Sequence, residues 1–313
     1  MSEKYVPGAG KATSQIDSLK SKLAQPQIQP QMQPRPDPIS AFQAAVSRWN
    51  MDDADYLQLR NAVLQLLSID LMHYRTQQME RRLTSYLERG DFKTWSECVQ
   101  ALYRKPGEVQ RFFDFFTINV SSFYRDADQW NQMSERILPA LLQQVSPLGI
   151  QAWSVGCSIG AEPYTLSMLL HELAATRRHK IFAGDLDPTV LKRASAAGPY
   201  LRAELQEMPQ KLADKYLVPY GVDQFKVRPD IREMIIFERF DILQNVVSRV
   251  HDLVICRNLM IYFTPPVKER VFRSLTQALK QGGVLFIGST EAITNYRQYG
   301  LDYIAPSFYQ RVT

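Results

Sequence analysis

No run of about 18 apolar residues occurs in this 313-residue chain, so no segment is predicted to cross a bilayer as a helix. The opening MSEKYVPGAG likewise lacks the apolar stretch of a signal peptide, which points to the cytoplasm. Cysteine is scarce. Cys98, Cys157 and Cys256 are far apart and odd in number, which leaves neither a disulfide framework nor the ligand spacing of a zinc site. An excess of one charge is also missing: the formal net charge of +5 permits an acidic partner but does not require one. What remains is a globular chain with enough apolar content, 45%, for one large domain or two ordinary ones.

The pattern changes twice along the chain. From Gln25 to Pro38 the sequence QPQIQPQMQPRPDP repeats Gln and Pro, which blocks helix and sheet ladders and offers little to bury, so residues 1–38 read as a disordered tail. Tyr56, Leu59, Val63, Leu66 and Leu67 then recur at helical spacing, followed by Met72, Met79, Leu83, Tyr86 and Leu87, which predicts a helix over about 69–89 and an all-helical region with its linker over 39–140. After Pro147, short apolar runs at Ile150–Val155, Lys180–Ala183, Met234–Phe237, His251–Cys256 and Gly283–Ile287 alternate with helical or polar sequence. Alternation of this kind predicts a mostly parallel sheet covered on both faces over 141–313. Leu301–Ala305 and Phe308–Val312, separated by Pro306 and Ser307, suit an antiparallel hairpin closing one edge.

IQAWSVGCSIGAEPYTLSMLLHEL, residues 150–173, reads as a buried strand, a loop holding Gly156 and Gly160, and a helix starting near Glu162–Pro163. A doubly wound sheet binds nucleotide-like ligands at such a loop. Asp185 follows at the tip of the second strand, where a carboxylate can accept both hydroxyls of a ribose; Asp187, just before Pro188, is assigned to capping the next helix. Three classes compete for this loop. A dinucleotide oxidoreductase would need a tighter G-x-G-x-x-G, and Glu162 would put negative charge where a pyrophosphate sits. Gly156-Cys157-Ser158-Ile159-Gly160 fits the G-x-S-x-G elbow of serine hydrolases, but His171 and His179 lie in or just after the following helix and His251 opens a strand at its wrong end. S-adenosylmethionine carries no phosphate and is cationic, so an acid in the loop suits it.

A second cluster lies past the fourth parallel strand, where DLVIC runs into Arg257, Asn258 and Tyr262. Upstream, FFDFFTINVSSFYRDADQW sets Asn119, Ser121 and Arg125 in a polar turn within aromatic sequence. Together these residues give N-x-[ST]-x-F-[FY]-R-[DE] at 119–126, W-S-x-x-x-S-x-G-x-E-P-Y at 153–164, D-x-D at 185–187, C-R-N-x-x-I-Y-F at 256–263 and Gly282-Gly283 before the fifth strand. Across residues 55–313 the chain resembles the chemotaxis-receptor glutamate methyltransferases, the CheR family.

That resemblance implies an α/β protein: a class I, Rossmann-like methyltransferase sheet, an N-terminal all-helical domain, and a small antiparallel β-subdomain inserted over 199–232. It implies S-adenosylmethionine as methyl donor, S-adenosylhomocysteine as product, no metal, and glutamate side chains of chemoreceptors as acceptors. Carried over by motif, Asn119, Ser121 and Arg125 would line the cofactor from the linker, Glu162 would meet the methionine amine and Asp185 the ribose. Asp241 and Ile242 would meet the adenine, and Arg257 and Asn258 the methionine side. Arg125 and Tyr262 would hold and orient the incoming carboxylate. Their ordinary alternatives are an ion pair of Arg125 with Asp126 or Asp128, and a core role for Tyr262. Cys256 ends an apolar run with no proline before it and reads as a buried bystander rather than a nucleophile. No D/N-P-P-Y motif follows the fourth strand, so nucleic acid is not the expected substrate; a monomer without membrane insertion is. Arg75, Arg82 and Arg89, seven apart, form a stripe that suits an acidic receptor helix or is a solvated face. The competing functions are a methyltransferase of this fold acting on RNA or a small molecule, and a binding module that senses S-adenosylmethionine without turnover.

Overall fold

The computed structural model describes residues 54–117 and 120–312; the Pro/Gln-rich stretch and Asn119 lie outside the described residues. Four helices come first: α1 (Ala54–Leu67), α2 (Thr76–Arg89), α3 (Trp95–Arg104) and α4 (Glu108–Phe116). Their apolar faces meet in one cluster that includes Leu59, Val63, Leu83, Leu87, Trp95 and Phe112. Thr94 opens α3 by accepting from Glu97 N at 3.1 Å while Glu97 Oε2 accepts from Lys93 N, so the helix starts where its own side chains satisfy orphan donors. The single helix expected over 69–89 is two elements. Asp70 caps a short 3₁₀ turn at Leu71–His73, and Tyr74 and Arg75 are extended before α2 begins. The cause is tertiary: Tyr74 bridges Phe263, Arg75 N donates to Tyr262 O at 2.9 Å, and Thr264 N donates to His73 O at 3.0 Å. Those bonds to a segment almost 190 residues away (263 − 74 = 189) override the helical periodicity of Met72 and Met79.

The sheet is built from β1 (Gln151–Val155), β2 (Lys180–Asp185), β6 (Ile235–Arg239), β7 (His251–Cys256), β8 (Leu279–Ile287), β9 (Leu301–Ala305) and β10 (Phe308–Arg311). Its order is β6-β2-β1-β7-β8-β10-β9. The first five are parallel; β10 pairs antiparallel with both β8 and β9, the hairpin expected from Pro306 and Ser307. Alternate residues serve opposite faces. Ala152, Leu253, Ile255 and Phe286 pack on one side, whereas Trp153, Val155, Val254 and Leu285 pack on the other. A sheet buried on both faces needs these near-continuous apolar strands. Gly282 and Gly283 stand inside β8 rather than before it. The register against β7 shifts from His251↔Leu279 to Leu253↔Val284, and a Cβ at Gly283 would lie 2.9 Å from Lys280 O.

Three short strands, β3 (Tyr200–Leu201), β4 (Leu217–Pro219) and β5 (Gln224–Val227), form a separate antiparallel sheet in the order β3-β5-β4 between β2 and β6. This is the small insert expected over 199–232.

Candidate active site

The loop after β1 is shaped by backbone that only a few residue types tolerate. Gly156 (φ +72°) and Gly160 (φ +86°) are left-handed, and a Cβ at Gly160 would lie 2.9 Å from Ala194 Cβ. Gly160 then opens the helix Ala161–Ala174. The loop wraps a cavity of about 300 Å³, at the lower end of the range of about 300–1,000 Å³ usual for small-molecule pockets. Ser121, Arg125, Glu162, Asp185, Asp241 and Ile242 line it, as do Arg257, Asn258 and Tyr262. Of the residues expected at the site, Asn119 is outside the described residues, and Arg75 and Arg89 are not part of the lining.

Asp185 ends β2 with both carboxylate oxygens engaged: Oδ2 accepts from Ser158 N at 2.7 Å and Oδ1 from Asp187 N at 3.0 Å. Burial raises its pKa and these backbone donors pull it down, so the group is fixed in orientation while keeping lone pairs free for further donors. Asp187 is the N-cap of the next helix, accepting from Thr189 N at 2.7 Å, as its position before Pro188 predicted. Ser158 Oγ is buried against the same cavity without a hydrogen-bond partner, an open polar position of the kind a ligand hydroxyl or amine fills.

Glu162 and Arg257 form the second centre. Glu162 Oε1 accepts from Ser154 Oγ at 2.8 Å, and its Oε2 lies 3.7 Å from Arg257 Nη1. Burial raises the Glu162 pKa, with Arg257 the main opposing influence. Arg257 Nη2 donates to Asp126 Oδ2 (2.7 Å), Gln129 Oε1 (2.9 Å) and Arg125 O (2.9 Å), and the guanidinium lies 4.7 Å from the Phe286 ring centroid. Asp126 therefore pairs with Arg257, not with Arg125. Arg125 itself donates to Val120 O at 3.3 Å and makes no ion pair with a described carboxylate. It sits between Tyr124 (φ +60°) and Asp126 (φ +61°), a strained turn held by Tyr124 N to Thr165 Oγ1 (3.2 Å) and Asp126 N to Glu207 Oε2 (2.9 Å).

Tyr262 lies on the 3₁₀ turn Met260–Tyr262 that follows β7. Burial raises its pKa, Arg82 and then Arg125 pull it down, and Glu291 adds to the rise. Arg82 is not a free member of a surface stripe. Its Nη2 donates to Phe115 O, its Nε is buried without a partner, and it lines the cavity, whereas Arg75 and Arg89 are exposed. Asp241 turns its Oδ1 onto Leu243 N at 2.8 Å, which fixes the loop carrying the buried Ile242. Cys256 is fully buried and burial pushes its thiol pKa well up, in line with a bystander. Sequence reasoning gave Ser154 no role beyond its place in the W-S motif and did not single out Gln129 or Glu291; Glu291 sits in G-S-T-E just past β8, a polar run at a strand end that could have been flagged.

A parallel five-strand order with an antiparallel pair at one edge, and a cavity at the carboxyl ends of β1, β2 and β7 lined by Glu162, Asp185 and Asp241 beside Arg82, Arg125 and Arg257, match the architecture of a class I methyltransferase. Residues 119–302 match the family described as CheR methyltransferase, SAM binding domain, and residues 54–117 match CheR methyltransferase, all-alpha domain. The chain is 35% identical over 257 residues to the chemotaxis protein methyltransferase of Listeria monocytogenes, covering 82% of this chain and 97% of that one. It is 29% identical over 273 residues to that of Borreliella burgdorferi, covering 84% and 95%. The chain belongs to the CheR methyltransferase family, and is accordingly an S-adenosylmethionine-dependent methyltransferase.

Proposed function

We propose that the chain methylates glutamate side chains of methyl-accepting chemoreceptors in the cytoplasm, forming methyl esters. The observation that carries this reading is that Arg82, Arg125 and Tyr262 line one cavity, with both arginines opposing the rise that burial gives the Tyr262 pKa. Two cations and a phenol suit a carboxylate acceptor. An amine or a nucleobase nitrogen would be better served by acids or amide groups.

When bound, S-adenosylmethionine supplies a methyl group on a cationic sulfonium and leaves as S-adenosylhomocysteine. The residues available to hold it are Asp185 for the ribose, Glu162 for the amine, and Asp241 with Ile242 for the adenine; Ser121, Arg125, Arg257 and Asn258 complete the surround. The unpartnered Ser158 Oγ and the acidic lining fit a cationic nucleoside ligand. A glutamate carboxylate is already ionised at neutral pH, its ordinary pKa being about 4.3, so the chain needs no general base. Its task is to strip water from the attacking oxygen and hold it in line with the methyl group. Arg125 and Arg82 would take the carboxylate charge, and Tyr262 would donate to the oxygen that does not attack.

The test is incubation of the protein with methyl-labelled cofactor and receptor-bearing membranes. Label on a receptor-sized band that is released by mild base supports the ester. Base-stable label, or label on RNA or a small molecule, overturns it; cofactor binding without any turnover would mark a sensing module.

A further inference from the structure

The loop that carries Asn258 and Tyr262 into the cavity is held by a residue outside the cavity. Glu291 Oε1 accepts from Met260 N at 2.8 Å, and Oε2 accepts from Asn258 N at 3.0 Å and Gly288 N at 2.8 Å. One carboxylate therefore ties the loop after β7 to the end of β8. Asn258 is left-handed at φ +57°, a conformation that asparagine adopts more readily than most non-glycine residues and that the two Glu291 bonds on either side of its peptide hold in place. A Cβ on Gly288 would lie 2.8 Å from Glu291 Oε2 and 3.0 Å from Asn258 N, so the glycine makes room for the clamp. On its other side the loop is held by Arg75 N to Tyr262 O and by the Tyr74–Phe263 bridge. Ile293, buried two residues after Glu291, anchors the brace, its backbone N donating to Tyr309 Oη at 3.3 Å.

We propose that Glu291 is a positioning residue for methyl transfer: it sets the place of Asn258 and Tyr262 without touching either reactant. Charge-assisted bonds to one carboxylate from three amides, two in the loop after β7 and one just past β8, are strong and directional. A carboxylate is also the one side chain that offers acceptors on both oxygens. In Glu291→Gln, one oxygen can keep the Asn258 and Gly288 donors, but the amide then turns its own N–H groups toward Met260 N–H. In Glu291→Asp the charge stays and the reach shortens by one methylene.

The inference rests on the proposed acceptor reading for its rate arm alone. Glu291→Gln is expected to lower kcat with receptor by about tenfold to a hundredfold, the effect of misplacing a reacting group by roughly 1 Å. The Kd for S-adenosylhomocysteine should rise by less than kcat falls, by about tenfold at most, since Asn258 is the one residue of the cofactor's surround that rests on Glu291 while Asp185 and Ser158 belong to other loops. Amide hydrogen exchange should quicken at Asn258, Met260 and Gly288 while β1 and β2 keep their protection. Glu291→Asp should behave like Glu291→Gln. Wild-type kcat in Glu291→Gln, unchanged exchange at the three amides, or full rescue by Asp would each overturn the proposal. So would a rate loss matched by lost S-adenosylhomocysteine binding and a collapsed thermal transition, which would mark a merely structural role. If the wild-type protein fails to methylate receptors, the acceptor reading falls, and the exchange and binding measurements still decide whether Glu291 fixes the loop.

Discussion

Two walls of the same cavity are made in different ways. One is assembled from strand ends that lie close in sequence: Gly156 to Glu162 after β1, and Asp185 at the end of β2. It is acidic, and its carboxylates are already bonded to backbone N–H or to a hydroxyl. The other is assembled from Arg82 on α2, Arg125 in the linker and Tyr262 past β7, with Glu291 behind it. It is cationic and draws on four distant segments. On the proposed reading the acidic wall takes a positive cofactor and the cationic wall a negative acceptor, so opposite charge separates two ligands that must meet at one methyl group. Arg257 joins the walls, reaching Glu162 on one side and the linker residues Asp126 and Gln129 on the other.

Cutting that joint should produce the largest effect. Arg257→Ala removes a buried guanidinium and leaves Glu162 and Asp126 without their cation, a change that costs about 3 kcal/mol where a buried pair is broken. Denaturant unfolding should show a lower midpoint. Arg257→Lys, which keeps charge but has one nitrogen where arginine sets Nη1 toward Glu162 and Nη2 toward Asp126 and Gln129, should recover only part of it. A midpoint equal to wild type for Arg257→Ala would mean the two walls stand independently.

The same contrast explains what could be read from the sequence. Glycine spacing at 156 and 160, the acid at 185 and the proline after Asp187 are local signals, and each marks a backbone feature present in the fold. The second wall has no local signature. Arg82 and Arg89 occupy equivalent helical positions, yet Arg82 turns inward because the carbonyl of Phe115 waits there, and nothing near residue 82 announces a helix 33 residues on. The break of the expected 69–89 helix has the same origin, since Tyr74 and Arg75 leave helical geometry to pair with Phe263 and Tyr262 while His73 O accepts from Thr264 N. Motif order across the whole chain, rather than any single element, carried the family resemblance.

An intermediate effect is expected from the acidic wall alone. Asp185→Ala removes the acceptor proposed for two ribose hydroxyls, and should weaken S-adenosylmethionine and S-adenosylhomocysteine binding by about 1.5–3 kcal/mol, or roughly tenfold to a hundredfold. Asp185→Asn keeps one acceptor oxygen and should lose less. On the proposed reading this wall holds the cofactor and not the acceptor, so the receptor KM measured at saturating cofactor should hardly move. Calorimetry giving wild-type affinity for Asp185→Ala would take Asp185 out of the site.

The smallest effect tests where the cationic wall ends. Arg82 belongs to the cavity, but Arg75, just before α2, and Arg89, at its end, are exposed, with Arg89 lying 5.3 Å from the Phe115 ring centroid. If these outer arginines steer an acidic receptor helix toward the cavity, Arg75→Glu combined with Arg89→Glu should raise the receptor KM by about threefold to tenfold at low salt. The difference should shrink as ionic strength rises, because exposed charges are screened over about 8 Å at 0.15 M salt. Cofactor affinity should stay at the wild-type value, since neither side chain lines the cavity. Leaving Arg82 intact matters: reversing it would break its bond to Phe115 O and put a carboxylate beside Tyr262, which would change kcat for reasons unrelated to docking. A low-salt KM unchanged in the double variant would confine the cationic wall to Arg82 and Arg125. Receptor capture would then pass to another surface, of which the three-stranded sheet β3-β5-β4, with Val218, Tyr220 and Val222 exposed along its hairpin, is the next to substitute.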